Sequence, residues 1–245
     1  MNKILSKLAN RLGYRISKLS EQPPFSDAFT DMQRLMTKME ITQPLIFDVG
    51  AHHGLISGKF RELFPASAIY AFEPFKASFD QLRNNTAADP GIHAFNFGLS
   101  NREGMERFHS NPASQTNSLF STDERAGLIW GPGTFGTQEM VSAEFKTVDN
   151  FMATQDIQEI DILKLDVQGA EPLVIEGAAE ACRRGAIRLI YSEILTQPTY
   201  QGQKRLDEAL AVFYDNGFDL YNIYNYSLTL DGRLREVDVI FTKTS

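Results

Sequence analysis

Leu45-Ile46-Phe47-Asp48-Val49-Gly50-Ala51-His52-His53-Gly54 reads as a short buried strand that runs straight into a glycine-bearing turn. Ile56, Phe60, Leu63 and Phe64 then share one helical face before Pro65 ends the pattern, so the segment is a strand-turn-helix unit. The unit recurs. Ala68 to Phe72 is a second strand, Pro74 suits the first helical position after it, and Phe75, Phe79 and Leu82 repeat at helical spacing. A third strand covers Ile92 to Phe97, and a fourth core strand runs from Ile160 to Leu165. A helix is expected from near Pro172 to Arg183-Arg184-Gly185, followed by a strand at 187–194. A helix carrying Leu206, Ala209, Leu210 and Phe213 stops at Gly217, and two strands near 218–224 and 237–242 close the chain. Alternation of this kind predicts an α/β fold, doubly wound around a mostly parallel seven-stranded sheet. After the third strand, 104–109 and 139–147 alternate like two antiparallel strands, a small β insertion. The polar stretch 110–138 between them is a candidate lid or substrate loop. Its lone Trp130 either stacks on a ligand ring or packs under the loop.

With 245 residues, 42% apolar and 22% charged, the chain has enough apolar surface for one large domain, taken as 23–245. Residues 1–22 stand apart. Lys3, Lys7, Arg11, Arg15 and Lys18 alternate there with Ile4, Leu5, Leu8, Leu12, Ile16 and Leu19, the pattern of a basic amphipathic helix. Such a helix lies either on its own core or on an anionic membrane or a partner. The formal charge of −7 speaks against a nucleic-acid surface and favours a small-molecule or glycan substrate. Cys182, the only cysteine, forms no internal disulfide, and the N-terminus lacks an uninterrupted apolar leader, so a cytoplasmic location is expected, with membrane association as the open alternative.

Ligands of open parallel sheets bind beyond the carboxyl ends of the strands, where strand order reverses. Asp48, Glu73, Asp166 and Glu193 each follow an apolar strand, and winding outward from the first strand predicts the rim order Glu73, Asp48, Asp166, Glu193. Four carboxylates on one rim outline a cleft. The first turn has Gly50 and Gly54 in a Gly-x-x-x-Gly spacing, without the middle glycine that admits a pyrophosphate. A cofactor without phosphates is therefore favoured: the turn offers open backbone groups, Asp48 a carboxylate for an ammonium, and Glu73 an acceptor for two ribose hydroxyls. An NAD(P)-dependent oxidoreductase or sugar epimerase would use the same acid, and a non-catalytic Rossmann-like binding module would keep the same sheet.

Four stretches resemble the FkbM-type methyltransferases: Ile46 to Ala51 with Gly54, Ala71-Phe72-Glu73-Pro74, Thr147 to Phe151, and Asp161 to Glu171. The resemblance implies a Rossmann-like class I methyltransferase that uses S-adenosylmethionine to methylate hydroxyls on sugars, glycans or glycosylated metabolites. It assigns Asp48, Gly50, Gly54 and Glu73 to the cofactor, joined here by His52 and Asn96, and places Lys164, Asp166 and Glu171 in the motif beside the acceptor. Two positions depart from the family: Gln168 stands where Glu is usual, and His52-His53 replaces an Asn and an apolar residue.

A hydroxyl must lose its proton as it accepts the methyl group. Asp166 is the first candidate base, followed by Glu193 and by His52 or His53. Lys164, two residues earlier, shares its strand face with Asp166 and either pairs with one of these acids or orients the acceptor. No metal ligands are assigned. Tyr221, Tyr224 and Tyr226 either stack on a sugar ring or alternate between core and surface.

Overall fold

A computed structural model describes residues 27–131 and 133–244. The amphipathic helix expected in residues 1–22 lies outside them. In chain order the regular elements are α1 (Ala28–Lys38), β1 (Leu45–Val49), α2 (Leu55–Leu63), β2 (Ala68–Phe72), α3 (Lys76–Thr86) and β3 (Ile92–Phe95). Then come β4 (Gly98–Leu99), β5 (Gly104–Ser110), α4 (Ala126–Trp130), β6 (Glu139–Lys146), α5 (Val148–Thr154) and β7 (Ile160–Leu165). The C-terminal part holds α6 (Glu171–Glu176), α7 (Ala179–Arg183), β8 (Ile187–Leu195), α8 (Leu206–Asp215), β9 (Phe218–Leu228) and β10 (Leu234–Lys243).

Seven strands form the main sheet in the order β3-β2-β1-β7-β8-β10-β9. All neighbours run parallel except β10, which is antiparallel to both β8 and β9. Order reverses between β1 and β7, so the crevice opens there. The near-continuous apolar runs of β1 and β7 follow from burial on both faces. On one face Phe47, Phe72, Phe95 and Phe97 surround Phe151 of α5, whose ring centroid lies 5.0–5.7 Å from each. On the other face α1 lays Met32, Leu35 and Met36 against Ile46, Ile69 and Ile162. Asp27 caps α1 by accepting from the amides of Phe29 and Thr30. Tyr224, buried, donates to Asp31 at 2.7 Å, while Tyr221 and Tyr226 are exposed, so the three tyrosines alternate between core and surface. Among the described residues no helix is long and apolar enough to cross a membrane.

Three elements differ from their sequence reading. The helix after β2 starts at Lys76 with Phe75 at its N-cap, so Pro74 precedes it instead of opening it. The third strand ends at Phe95, because Gly98-Leu99 leaves the main sheet to pair with β6 in a small sheet of order β4-β6-β5. The helix expected through Arg184 is broken at Gly177, where a Cβ would lie 2.0 Å from the carbonyl oxygen of Ser100. That contact seats the chain after β4 against the helix break. Asp149 accepts from the amides of Glu180 and Ala181 at 2.9 and 2.8 Å, tying α5 to the start of α7. Gly177→Ala keeps an ordinary φ but forces backbone against backbone, and is expected to cost about 3 kcal/mol or more. Urea unfolding of the two proteins measures it.

Candidate active site

The floor of the crevice is a buried ion pair. Lys164 and Asp48 face each other in the β1–β7 register, with Nζ 2.9 Å from Oδ1 and side chains 4% and 0% exposed. Nζ also donates to the carbonyls of Gly50 at 2.9 Å and Val49 at 3.3 Å, and Ser57 of α2 donates to the other Asp48 oxygen at 2.6 Å. Burial alone would lower the lysine's pKa, but the charges of Asp48 and Asp166 reverse that and hold it above its ordinary value. Asp48 is thus committed on both oxygens. It is not open to a ligand's ammonium, as the sequence had led us to expect, and it serves instead to keep Lys164 charged.

The turn above this pair is also self-satisfied. Gly50 takes φ +74°, and a Cβ on it would sit 1.9 Å from the Asp166 carbonyl oxygen, so only glycine lets the ends of β1 and β7 approach. The amides of Gly50 and Ala51 both donate to Phe72 O at 3.0 Å, which leaves the turn fewer open donors than its spacing suggests. Gly54, at φ +85°, starts α2 where a Cβ would press on Leu82 and Thr86; its role is packing α2 on α3.

Glu73, at the end of β2, accepts from the amide of His52 at 2.9 Å and from that of Phe75 at 2.8 Å, one on each oxygen. One acceptor site per oxygen remains. Burial raises its pKa to about 7 against the pull of those amides. Asn96 holds the same corner by donating to the carbonyls of Glu73 and Pro74, and lines a neighbouring hollow with Phe75 and Met105 rather than the main cleft. His52, at φ +49°, stacks on His53 with centroids 3.6 Å apart and bonds Ser114 Oγ at 2.8 Å. Burial, with His53 adjacent, lowers its pKa to about 4, so the ring is neutral near pH 7.

Beyond β7, Asp166 is 36% exposed with one oxygen 3.7 Å from Lys164 Nζ. Gln168 donates from the same nitrogen to Asp166 Oδ1 at 3.0 Å and to Glu193 Oε1 at 3.1 Å. Glu193 is covered by this amide and does not reach the cleft, so it cannot meet an acceptor there; burial and the Asp166 charge push its pKa well above the usual carboxylate range. Glu171 clasps its own loop by accepting from the amides of Val167 and Gly169, and burial raises it to about 7.

These groups line a cleft of about 910 Å³, part of it open to solvent. Of the residues assigned from sequence, Gly50, His52, His53, Glu73, Lys164 and Asp166 border it, while Asp48, Gly54, Asn96 and Glu193 stand behind. The 110–138 segment supplies Ser114, Gln115, Asn117 and Leu119 to the wall, with Leu99, Phe108 and Phe145 from the small sheet. Trp130 packs beneath that segment: its Nε1 donates to Thr199 and Arg235 lies 4.1 Å over its ring. Sequence reasoning missed Ser57, Ser114, Asn117 and Tyr200, which become neighbours of the site only through tertiary pairing. Ser57 alone had a local signal, its place on the buried face of α2.

The family model for the methyltransferase FkbM domain matches residues 48–220. The chain belongs to the FkbM methyltransferases. S-adenosylmethionine is accordingly its methyl donor, and the nicotinamide and non-catalytic readings are set aside. This FkbM chain is 29% identical to methyltransferase sdnD of Sordaria araneosa, over 86% of its own length and 88% of the relative's. It is 27% identical to the 2-O-methyltransferase NoeI of Sinorhizobium fredii, covering 70% and 71%. The hexuronic acid methyltransferase AglP of Haloferax volcanii is 25% identical over 62% of this chain and 56% of that protein. The residues present fit the donor: Glu73 keeps one free acceptor site on each oxygen, and the apolar wall of Leu99, Phe108 and Phe145 borders the same cleft.

Lys164→Met should leave Asp48 buried without its counter-ion and cost the FkbM chain roughly 3–5 kcal/mol, with Asp48→Asn added to it recovering part of the loss. Chemical denaturation of the parent, both single variants and the pair gives the comparison. Glu171 has a raised folded pKa, so its contribution to stability is complete below about pH 4.5 and disappears as pH rises through about 7. Glu171→Gln keeps an accepting oxygen and removes that dependence. Between pH 4.5 and 8 the variant should gain on the parent by on the order of 2 kcal/mol, read from paired unfolding curves.

Proposed function

We propose that this methyltransferase transfers the methyl group to a hydroxyl oxygen of a sugar, glycan or glycosylated acceptor, with Asp166 as the base. The observation that carries this reading is the exposure of Asp166. Of the rim carboxylates, Asp48 and Glu193 stand behind the cleft and Glu73 is buried with both oxygens already accepting amides. Asp166 borders the cleft beside the point where strand order reverses, with surface open to it. The names of two relatives support the acceptor class: one is a 2-O-methyltransferase and one acts on a hexuronic acid.

The donor supplies an electrophilic methyl group on a sulfonium. What remains for the chain is alignment, exclusion of water and removal of one proton. Asp166 accepts the hydroxyl proton, a role typically worth about 10² to 10⁴ in rate. Lys164, held charged by Asp48, keeps a cation 3.7 Å from Asp166. Glu73 accepts from the ribose hydroxyls of the cofactor. Neutral His52 and its stacked neighbour His53 line the cleft, and His53 is the second candidate for the proton. The 110–138 segment adds Ser114, Gln115, Asn117 and Leu119 to the wall of the same cleft.

Calorimetric titration with S-adenosylhomocysteine should show binding, and silence at roughly millimolar ligand would overturn the reading. Asp166→Asn should lower methyl transfer from S-adenosylmethionine at least about 100-fold while cofactor affinity stays within about twofold. Loss of cofactor affinity in that variant would move Asp166 to the other half of the cleft.

A further inference from the structure

Gln168 holds a backbone conformation that glycine would adopt without cost. Its φ is +57°, in the left-handed region, and Gly169 follows at +90°. A non-glycine residue pays roughly 1 kcal/mol there, so the side chain has a reason to be present. Its contacts show the reason. One terminal atom of the side chain lies 3.0 Å from Asp166 Oδ1 and 3.1 Å from Glu193 Oε1, which requires that atom to be the NH2 group, since an oxygen there would face two carboxyls. The amide oxygen meets the Tyr200 hydroxyl at 3.0 Å, whose single hydrogen is shared with Thr116 O at 2.6 Å. The Gln168 carbonyl in turn accepts from Ser118 Oγ at 2.8 Å, fixing the residue at both ends.

We propose that Gln168 is a positioning residue, whose amide aims the Asp166 carboxylate into the cleft and keeps Glu193 from pairing with it. Two carboxyls on adjacent strand ends, one of them buried, would otherwise share a proton, and Asp166 would no longer be free to take one from an acceptor. A neutral side chain with two N–H groups prevents this by giving each carboxyl its own donor. A glutamate at this position would place a third acid between the two. The other titratable groups facing Asp166 are Lys164 on its own strand, His52 from the β1 turn, Glu73 from β2, Glu171 from α6, Tyr191 from β8, Asp238 from β10 and Tyr200. None of them bridges Asp166 to Glu193.

The role rests on Asp166 being the base, but its test reads the carboxyl itself. In protein labelled with carboxyl-13C aspartate, assigned through Asp166→Asn, the Asp166 resonance is followed against pH in the parent and in Gln168→Met, which keeps length and removes both donors. Its titration midpoint should rise by about one pH unit, because the ionised form loses a hydrogen bond. Gln168→Asn tolerates the left-handed backbone and withdraws the amide by one methylene, so it should move the midpoint the same way and serves if the Met variant does not fold. S-adenosylhomocysteine affinity should be unchanged in either. An unmoved midpoint in a folded variant would overturn the proposal even in an active methyltransferase. Failure of the parent to bind S-adenosylhomocysteine would instead overturn the methyl-transfer reading and leave the titration result standing.

Discussion

An ammonium and a carboxylate sealed together between the two central strands set the shape of everything above them. Lys164 makes three polar contacts within 3.3 Å, an ion pair with Asp48 and hydrogen bonds to Gly50 O and Val49 O. The pair therefore does more than balance charge. It closes the turn after β1 onto β7 and draws the carbonyls of that turn inward. A buried ion pair is weak evidence for stability, since an apolar pair of the same volume often serves as well. Its retention at the switch point makes sense as geometry: an apolar side chain has no hydrogen with which to hold a carbonyl.

Around this centre the chain restrains acids with neutral donors more often than with cations. Glu73 accepts from two backbone amides, Glu171 from two others, and Asp166 and Glu193 from one side-chain amide. Lys164 is the one cation that borders the cleft among the described residues. A site built to receive a positively charged donor gains from this economy. Its carboxylates are held in place without surrounding them with positive charge that would repel the incoming ligand.

The frame was legible in the sequence because it rests on periodicity. Apolar runs of three or four residues, each followed by an acid, give the strands and the order of the rim, and β2-β1-β7-β8 reproduces that order. The site was legible only as far as its residues are local. Lys164 was placed on the face of Asp166 by the alternation of a strand, yet its nearer partner, Asp48, lies across a parallel pairing that links residues over 100 positions apart. Gln168 stood out as a departure from a family pattern, while its bonds to Glu193 and Tyr200 span 25 and 32 residues and left no trace in spacing. The helix break at Gly177 was hidden for a similar reason, because what forbids a Cβ there is the backbone of Ser100.

The central strand pairing also governs when the protein can become itself. β1 meets β2 after some twenty residues, but its other edge waits for β7, and the contact of Leu45 N with Asp161 closes a separation of 116 residues. At the usual pace of synthesis, about 5–20 residues per second, that edge stays without its partner for roughly 6 to 20 seconds. Loop-closure entropy grows only slowly with length, so the small sheet and the segment above the cleft add little to the thermodynamic cost of joining the two halves. They add time. A nascent chain with β1 through β3 made and β7 still to come exposes an apolar strand edge, and the interval is lengthened by the insertion that furnishes the cleft's wall.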